Sequence, residues 1–399
     1  MMQSVGKGMS LRWLLAASFI NSFAIGFIWP LTSVYLYNEL YQTLVTIGWV
    51  MMANAVGQAI GSIISGRLFD QFKPYRLIQF GVITMIILQI AFILWHGWPT
   101  YAIILTLVVF FGGWLTASIN AYGTQVRSHD GRFVFNMLYF MSNFGMVFST
   151  ALVGPIYPFG ITWLFVLALI LYVVLFFIVH SKFRINLGSY KREQQTSKVT
   201  LPKWNLVLVY SSILGLVVLW ISYAQWQGNL SVYMNSVLKL PLWQYSMLWT
   251  INGALIAVIQ LGMNALNLSA NRRSMFVQIF VGIIMFGLSF LVLPFSRHFT
   301  GFALAMVITT IGEATAFPMI PALVNELTPL SLKGRYQGLS AAAPSVGRAV
   351  GPLAGGFIIQ QQGYSTLFYA AAALTFVAFV GVLLSIVLGY RHTVRYEES

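Results

Sequence analysis

Two residues of opposite charge stand inside long apolar stretches of this 399-residue chain. Glu313 lies in Gly312-Glu313-Ala-Thr-Ala-Phe-Pro318, and Arg348 in Gly347-Arg348-Ala-Val-Gly351-Pro352-Leu-Ala-Gly355-Gly356. Low-dielectric surroundings disfavour the ionised form of a carboxyl group, whereas a nearby guanidinium favours it. A Glu beside a movable Arg can therefore take up and release a proton as its surroundings shift. Glu313 is the candidate proton site and Arg348 its competing partner. The alternatives are a static ion pair, or an Arg348 bound only to backbone carbonyls. The other acidic residues, Glu39, Asp70, Asp130, Glu193, Glu326, Glu397 and Glu398, do not fall in the middle of an apolar run.

Other chemistries find little to work with. The chain has no Cys, which excludes disulfides, thiolate metal sites and a cysteine nucleophile. His129-Asp130 lacks further ligands at metal-binding spacing and reads as a solvated loop. A phosphate-cradling Gly-x4-Gly-Lys-Ser/Thr loop is missing, which argues against an ATP-driven machine. Asn229-Leu-Ser231 and Asn267-Leu-Ser269 fit a glycosylation pattern without supporting context. A membrane-embedded transferase would need a nucleophile and base at the interface, and none is found. The expectation is no enzyme, no cofactor and no metal.

The elements that must hold these charges are set by composition: 58% of residues are hydrophobic and 8% charged. Such a chain is an integral membrane protein. A spanning helix takes about 20 mainly apolar residues. Twelve runs qualify, near 12–36, 45–68, 77–96, 101–126, 134–157, 161–181, 205–230, 244–266, 274–295, 301–325, 336–360 and 366–389. They lack the alternation of an outer-membrane barrel, and the first is too long for a cleaved signal. An all-α fold of twelve helices in two six-helix bundles follows.

The net charge of +14 comes from basic clusters between the runs, not from a continuous nucleic-acid-binding face. With the N-terminus placed inside, 19 of the 22 Lys and Arg fall on the inner side, so both termini are expected in the cytoplasm. The basic stretch 182–204 reads as a linker between an N-terminal bundle, 1–181, and a C-terminal bundle, 205–399. A shared offset of 197 supports duplication: it relates Asp70 to Asn267, Arg76 to Arg273, and Gly154-Pro155 to Gly351-Pro352.

Residues Gly66-Arg-Leu-Phe-Asp70-Gln-Phe-Lys73-Pro-Tyr-Arg76 resemble the signature loop between spans two and three of the major facilitator superfamily. Lys73-Pro74-Tyr75-Arg76 keeps two charges of the usual pattern and loses a glycine. In span eleven, Gly338-x8-Gly347-x3-Gly351-Pro352-x2-Gly355-Gly356 looks like the glycine-proline pattern that the family's antiporters carry in span five. Span five itself keeps Asn143-x-Gly145 and Gly154-Pro155 but has Pro158 and Phe159 in place of the glycine pair. Gly312-Glu313 through Pro318, with Gly334-Arg335-Tyr336-Gln337-Gly338, further resembles multidrug/proton antiporters of the lactococcal type.

The resemblance implies roles. Glu313 matches a proton-carrying glutamate of span ten, and Asp70 a conformational-switch aspartate, with Gly66, Lys73, Arg76, Gly351 and Pro352 in the same switch. Acidic positions described for such exporters in spans four and five are not matched, since Asn120, Tyr122, Tyr139 and Asn143 stand there. Spans one, four, seven and ten would line a cavity bearing Asn21, Trp29, Tyr35, Asn120, Tyr122, Tyr223, Gln225 and Trp226. Trp29, Tyr35 and Trp226 read as interfacial aromatic belt ahead of ligand contacts.

The expected protein is a monomeric proton-coupled exporter of small lipophilic or cationic compounds, multi-pass in a bacterial plasma membrane. A sugar or glycolipid exporter of the same fold is the alternative. Protons, an amphipathic substrate and membrane lipids are its expected partners, and nucleic acid is not.

Overall fold

Backbone N–H and C=O groups in hydrocarbon must be satisfied within the segment, so long apolar runs fold as helices. The computed structural model describes residues 9–126, 128, 131–184, 201–265, 272–389 and 392–394, with a few side chains inside helices left out. Eleven helical runs among them are long and apolar enough to cross a membrane. The last, Arg335–Gly389, has 55 residues and would extend roughly 80 Å as one straight rod, far more than a bilayer. It breaks at Gly363, whose φ of 82° lies in the left-handed region. Two helices meet there, giving the twelve crossings read from the sequence.

In chain order these are α1 (Leu11–Asn38), α2 (Leu44–Gln71), α3 (Pro74–Leu94), α4 (Thr100–Gly123), α5 (Gly131–Ile156) and α6 (Ile161–Lys182). There follow α7 (Lys203–Val237), α8 (Leu242–Ala265), α9 (Arg272–Val292), α10 (Phe299–Leu327), and α11 and α12 on either side of Gly363, over 330–362 and 364–389. Described residues form no strand.

The chain divides into two units, one of 1–42, 53–192 and 241–250, the other of 43–52, 193–240 and 251–399. Division at 182–204 assigns each helix whole, whereas these units cut α2 after residue 52 and α8 after residue 250. Close backbone approaches account for the cuts. Gly48 meets the backbone of Leu353 in the second unit, and Gly154 that of Trp243 in the first. Most of 182–204 lies outside the described residues.

Within the first unit, α1 and α5 join through Ser18, whose hydroxyl donates to the Leu138 carbonyl at 3.2 Å, and through a 2.8 Å bond between Ser22 and Ser142. α2 packs on α4 where Gly61 meets the Phe110 backbone, and Ser65 donates to the Trp114 carbonyl at 2.9 Å. Phe92 and Phe165 stack at 4.6 Å between α3 and α6.

In the second unit the small-residue ladder of α11 lies against α7. Gly347 faces Trp220 and Ile221, Gly351 faces Ile221 and Ala224, and Gly355 faces Gln225 and Asn229. Gln225 donates to the Gly351 carbonyl at 2.7 Å, and Asn229 to the Pro352 carbonyl at 3.2 Å and to Gln225 Oε1 at 2.7 Å. Without hydrophobic driving force between helices in lipid, such close backbone contact and interhelical hydrogen bonds carry the association.

A side chain at Gly347 would collide with the α7 backbone. Gly347→Val is expected to cost about 1–3 kcal/mol through overpacking and to lower the unfolding temperature in detergent. Gly381→Ala, where a Cβ meets open space, is expected to be neutral or to stabilise by up to about 1 kcal/mol.

Candidate functional site

Glu313 is the central residue of α10, with fourteen residues on either side in Phe299–Leu327. Its helix can approach α9 closely because Gly312 faces Gly282, and a Cβ at either position would clash with the other strand of backbone or with Ala316 and Phe286. Beyond Glu313 the helix is loosened. Pro318 and Pro321 have no N–H, so the carbonyls of Ala314 and Phe317 lose their helical donors.

The Glu313 side chain is half-buried. Asn252 of α8 donates its Nδ2 to Glu313 Oε2 at 2.8 Å and to Thr310 Oγ1 at 3.0 Å, and the Thr310 hydroxyl donates to the Met306 carbonyl at 2.7 Å. Tyr223 of α7 supplies a second hydrogen bond to the carboxylate. Both partners are uncharged, so protonating Glu313 breaks no ion pair at the carboxylate.

Arg348 places its guanidinium 5.4 Å from the centre of the Trp220 ring, a cation–π arrangement. Tyr223 is also within electrostatic reach of Arg348. Aromatic rings close around this group: Trp220 stacks on Phe317 at 4.6 Å, and Tyr223 and Phe286 lie 5.7 and 5.5 Å from Phe317. Every member of the cluster belongs to the second unit.

A sequence model described as the Major Facilitator Superfamily matches residues 14–297 and 277–398. The chain belongs to the major facilitator superfamily. It is similar to the "Uncharacterized MFS-type transporter YttB" of Bacillus subtilis (strain 168), 32% identical over 382 residues that make up 94% of each chain. "Multidrug resistance protein 2" of the same organism is 31% identical over 102 residues, 26% of this chain and 25% of that one. The "Chromaffin granule amine transporter" of Rattus norvegicus is 26% identical over 181 residues, 43% of this chain and 33% of that one. Among solved structures, a mutant of the peptide transporter POT in complex with sulfate superposes with a TM-score of 0.81 at 15% identity, covering 98% of this chain and 97% of that one. This last likeness establishes fold alone. The protein is a multi-pass membrane transporter of the superfamily.

Within this superfamily member the other expected site residues separate. Tyr122 and Trp226 are fully buried. The Tyr122 hydroxyl donates to the Phe183 carbonyl at 3.2 Å and its ring packs edge-on against Phe69, so it belongs to the core of the first unit and not to a cavity wall. Trp226 is likewise buried in the core of the second unit. Gln225 is spent on the α7–α11 seam, donating to the Gly351 carbonyl and accepting from Asn229. Asn21 is buried and donates to Thr116 at 3.4 Å, whereas Asn120 is exposed. Tyr35 bonds His96 Nδ1 at 2.7 Å.

Gly66 has open space around its Cα, and Lys73 and Arg76 are exposed at the turn from α2 to α3. The side chains of Asp70 and Trp29, and His129, Asp130 and Asn267 altogether, lie outside the described residues. Asn229 is buried within the bundle, which excludes it as a glycan acceptor.

Asn252, Thr310, Trp220, Phe286 and Phe317 are absent from the sequence-based site. An amide in mid-span carries a signal of its own, since burying it without a partner is costly. The aromatic residues carry none, because Trp and Phe are common throughout such spans.

Tyr223→Phe is expected to cost about 1.5–3 kcal/mol, the range for a hydrogen bond to a charged group, and much less in a Glu313→Ala background. Thermal unfolding of both single variants and the double variant gives the coupling. Simple additivity would show that the hydroxyl does not act on the carboxylate.

Proposed function

We propose that the protein is a proton-coupled secondary transporter that exports lipophilic or cationic compounds by alternating access. The observation that carries this reading is a carboxyl group at the centre of a membrane helix, held by two neutral donors inside an aromatic cluster. An ionisable side chain at that depth costs at least about 2.5–3.5 kcal/mol, so it is retained for function.

The site suggests how exchange is enforced. Ionised Glu313, hydrogen-bonded to Tyr223 of the ring cluster that also holds Trp220 and Phe317, attracts an organic cation through charge and π-systems together. Protonated Glu313 loses that attraction. Proton and cation then compete for one carboxylate, and exchange follows without a second acidic site. Arg348, held over Trp220, is the competing charge in this reading. The partial similarity to proteins named for multidrug resistance and for amine transport agrees with a cationic, lipophilic substrate.

The remaining assignments belong to the same reading. Two bundles, 1–181 and 205–399, rock about the linker 182–204. Asp70, Gly66, Lys73 and Arg76 form the switch, with Gly351-Pro352 as its counterpart in α11. The protein acts as a monomer in a bacterial plasma membrane, with both termini in the cytoplasm. A sugar substrate has less support, because the amides such a ligand would need, Asn21 and Gln225, are engaged in helix packing.

In proteoliposomes with an imposed pH gradient, Glu313→Gln is expected to abolish proton-driven movement of ethidium while leaving expression and unfolding temperature near those of the unaltered protein. Undiminished movement would remove Glu313 from the coupling role.

A further inference from the structure

The first unit carries an apolar track that the Glu313 site does not use. Along α5, Phe140, Phe144, Phe148, Ala151 and Pro155 follow at three- and four-residue steps, so they share one face, and all five are exposed. α1 widens the track. Its Phe19 lies 5.7 Å from Phe144 and 5.9 Å from Phe148, and its Phe23 lies 6.2 Å from Phe148, between ring centres. The rings meet because Gly145 sits against the Phe19 and Phe23 backbone, and Gly26 against Met146 and Ser149.

At the Pro155 end the track reaches a cavity of about 340 Å³ between Ala151, Gly154 and Pro155 of α5 and Trp243, Ser246 and Met247 of α8. All of its walls belong to the first unit. Gly154 closes one side by direct approach to Trp243. None of the lining residues is ionisable.

Thr150 and Thr250 also line the cavity, with hydroxyls that donate to the Val147 and Ser246 carbonyls of their own helices, and two further polar groups lie at these walls. Ser246 is buried, and its hydroxyl has no hydrogen-bond partner among the described residues. Pro155 has no N–H, so the Ala151 carbonyl one turn earlier lacks its helical donor. A buried hydroxyl left without a partner is costly, and polar groups of this kind in a pocket fix the orientation of a ligand.

We propose that this cavity binds a lipophilic substrate with a flat apolar body and one neutral hydroxyl, which arrives along the phenylalanine track. The ligand hydroxyl donates to the Ala151 carbonyl and accepts from Ser246, while its ring system packs on Trp243, Pro155 and Met247. This assignment rests on the export reading above and names one substrate class for it.

The test uses the full-length protein in lipid nanodiscs, titrated with 1-pyrenemethanol or 1-methylpyrene and read by energy transfer from tryptophan to pyrene against empty nanodiscs. Saturable transfer is expected for both probes, and it should drop in Trp243→Phe. Ser246→Ala should weaken 1-pyrenemethanol by a factor of about 3–10, the change for one neutral hydrogen bond, and leave 1-methylpyrene unchanged. Ala151→Leu, which fills the cavity, should abolish saturable transfer for both while its unfolding temperature stays near that of the unaltered protein.

Non-saturable signals equal to those of empty nanodiscs, or an Ala151→Leu protein that binds both probes normally, would overturn the site. If Ala151→Leu does not fold, the selective effect of Ser246→Ala decides alone. Glu313→Gln is run in parallel for pH-driven movement of 1-pyrenemethanol. Loss of coupling there with binding intact supports both readings, and intact coupling there with binding present overturns only the role of Glu313.

Discussion

Hydrocarbon offers no hydrogen bonds, and that constraint governs this molecule. Each polar group inside a span must find its partner on a neighbouring helix or carry a cost of several kcal/mol. The Ser18–Leu138, Ser22–Ser142 and Ser65–Trp114 bonds tie the first unit together on this principle. Gln225 and Asn229 do the same for α7 and α11 in the second. The carboxylate of Glu313 is the extreme case. It is accommodated by Asn252 and Tyr223, from two other helices, so three spans share one acid.

Glycine and proline set the distances over which those bonds form. The ladder Gly347, Gly351 and Gly355 brings α11 so near α7 that amide side chains reach main-chain carbonyls across the gap. Prolines act in the opposite sense by withdrawing a donor. Pro318 and Pro321 loosen α10 just past the acid, and Pro155 withdraws the helical donor of the Ala151 carbonyl beside the α5–α8 cavity. α10 thus combines close packing at Gly312 with missing backbone donors past Glu313.

The two chemical environments differ in kind. Around Glu313 the second unit gathers charge and aromatic faces: Arg348 over Trp220, with Phe286 and Phe317 stacked alongside. The cavity of the first unit has no ionisable group, and its polarity is limited to hydroxyls and a carbonyl. One surface holds a titratable group among aromatic rings, and the other is neutral and apolar.

The sequence by itself determined the crossings, because an apolar run of span length in lipid has no fold other than a helix, and even the break at Gly363 falls between two such runs. It also picked out Glu313 and Arg348, since a charge in an apolar run is visible without coordinates. Which side chains meet them was a tertiary matter. Asn252, Thr310 and Trp220 lie far from Glu313 or Arg348 along the chain or look like ordinary span residues. Only the packing of α7, α8, α10 and α11 turned them into partners. Tyr122, Gln225 and Trp226 show the converse: their residue types suit a cavity, but helix rotation, which residue type does not encode, turned them into the core or the helix seam.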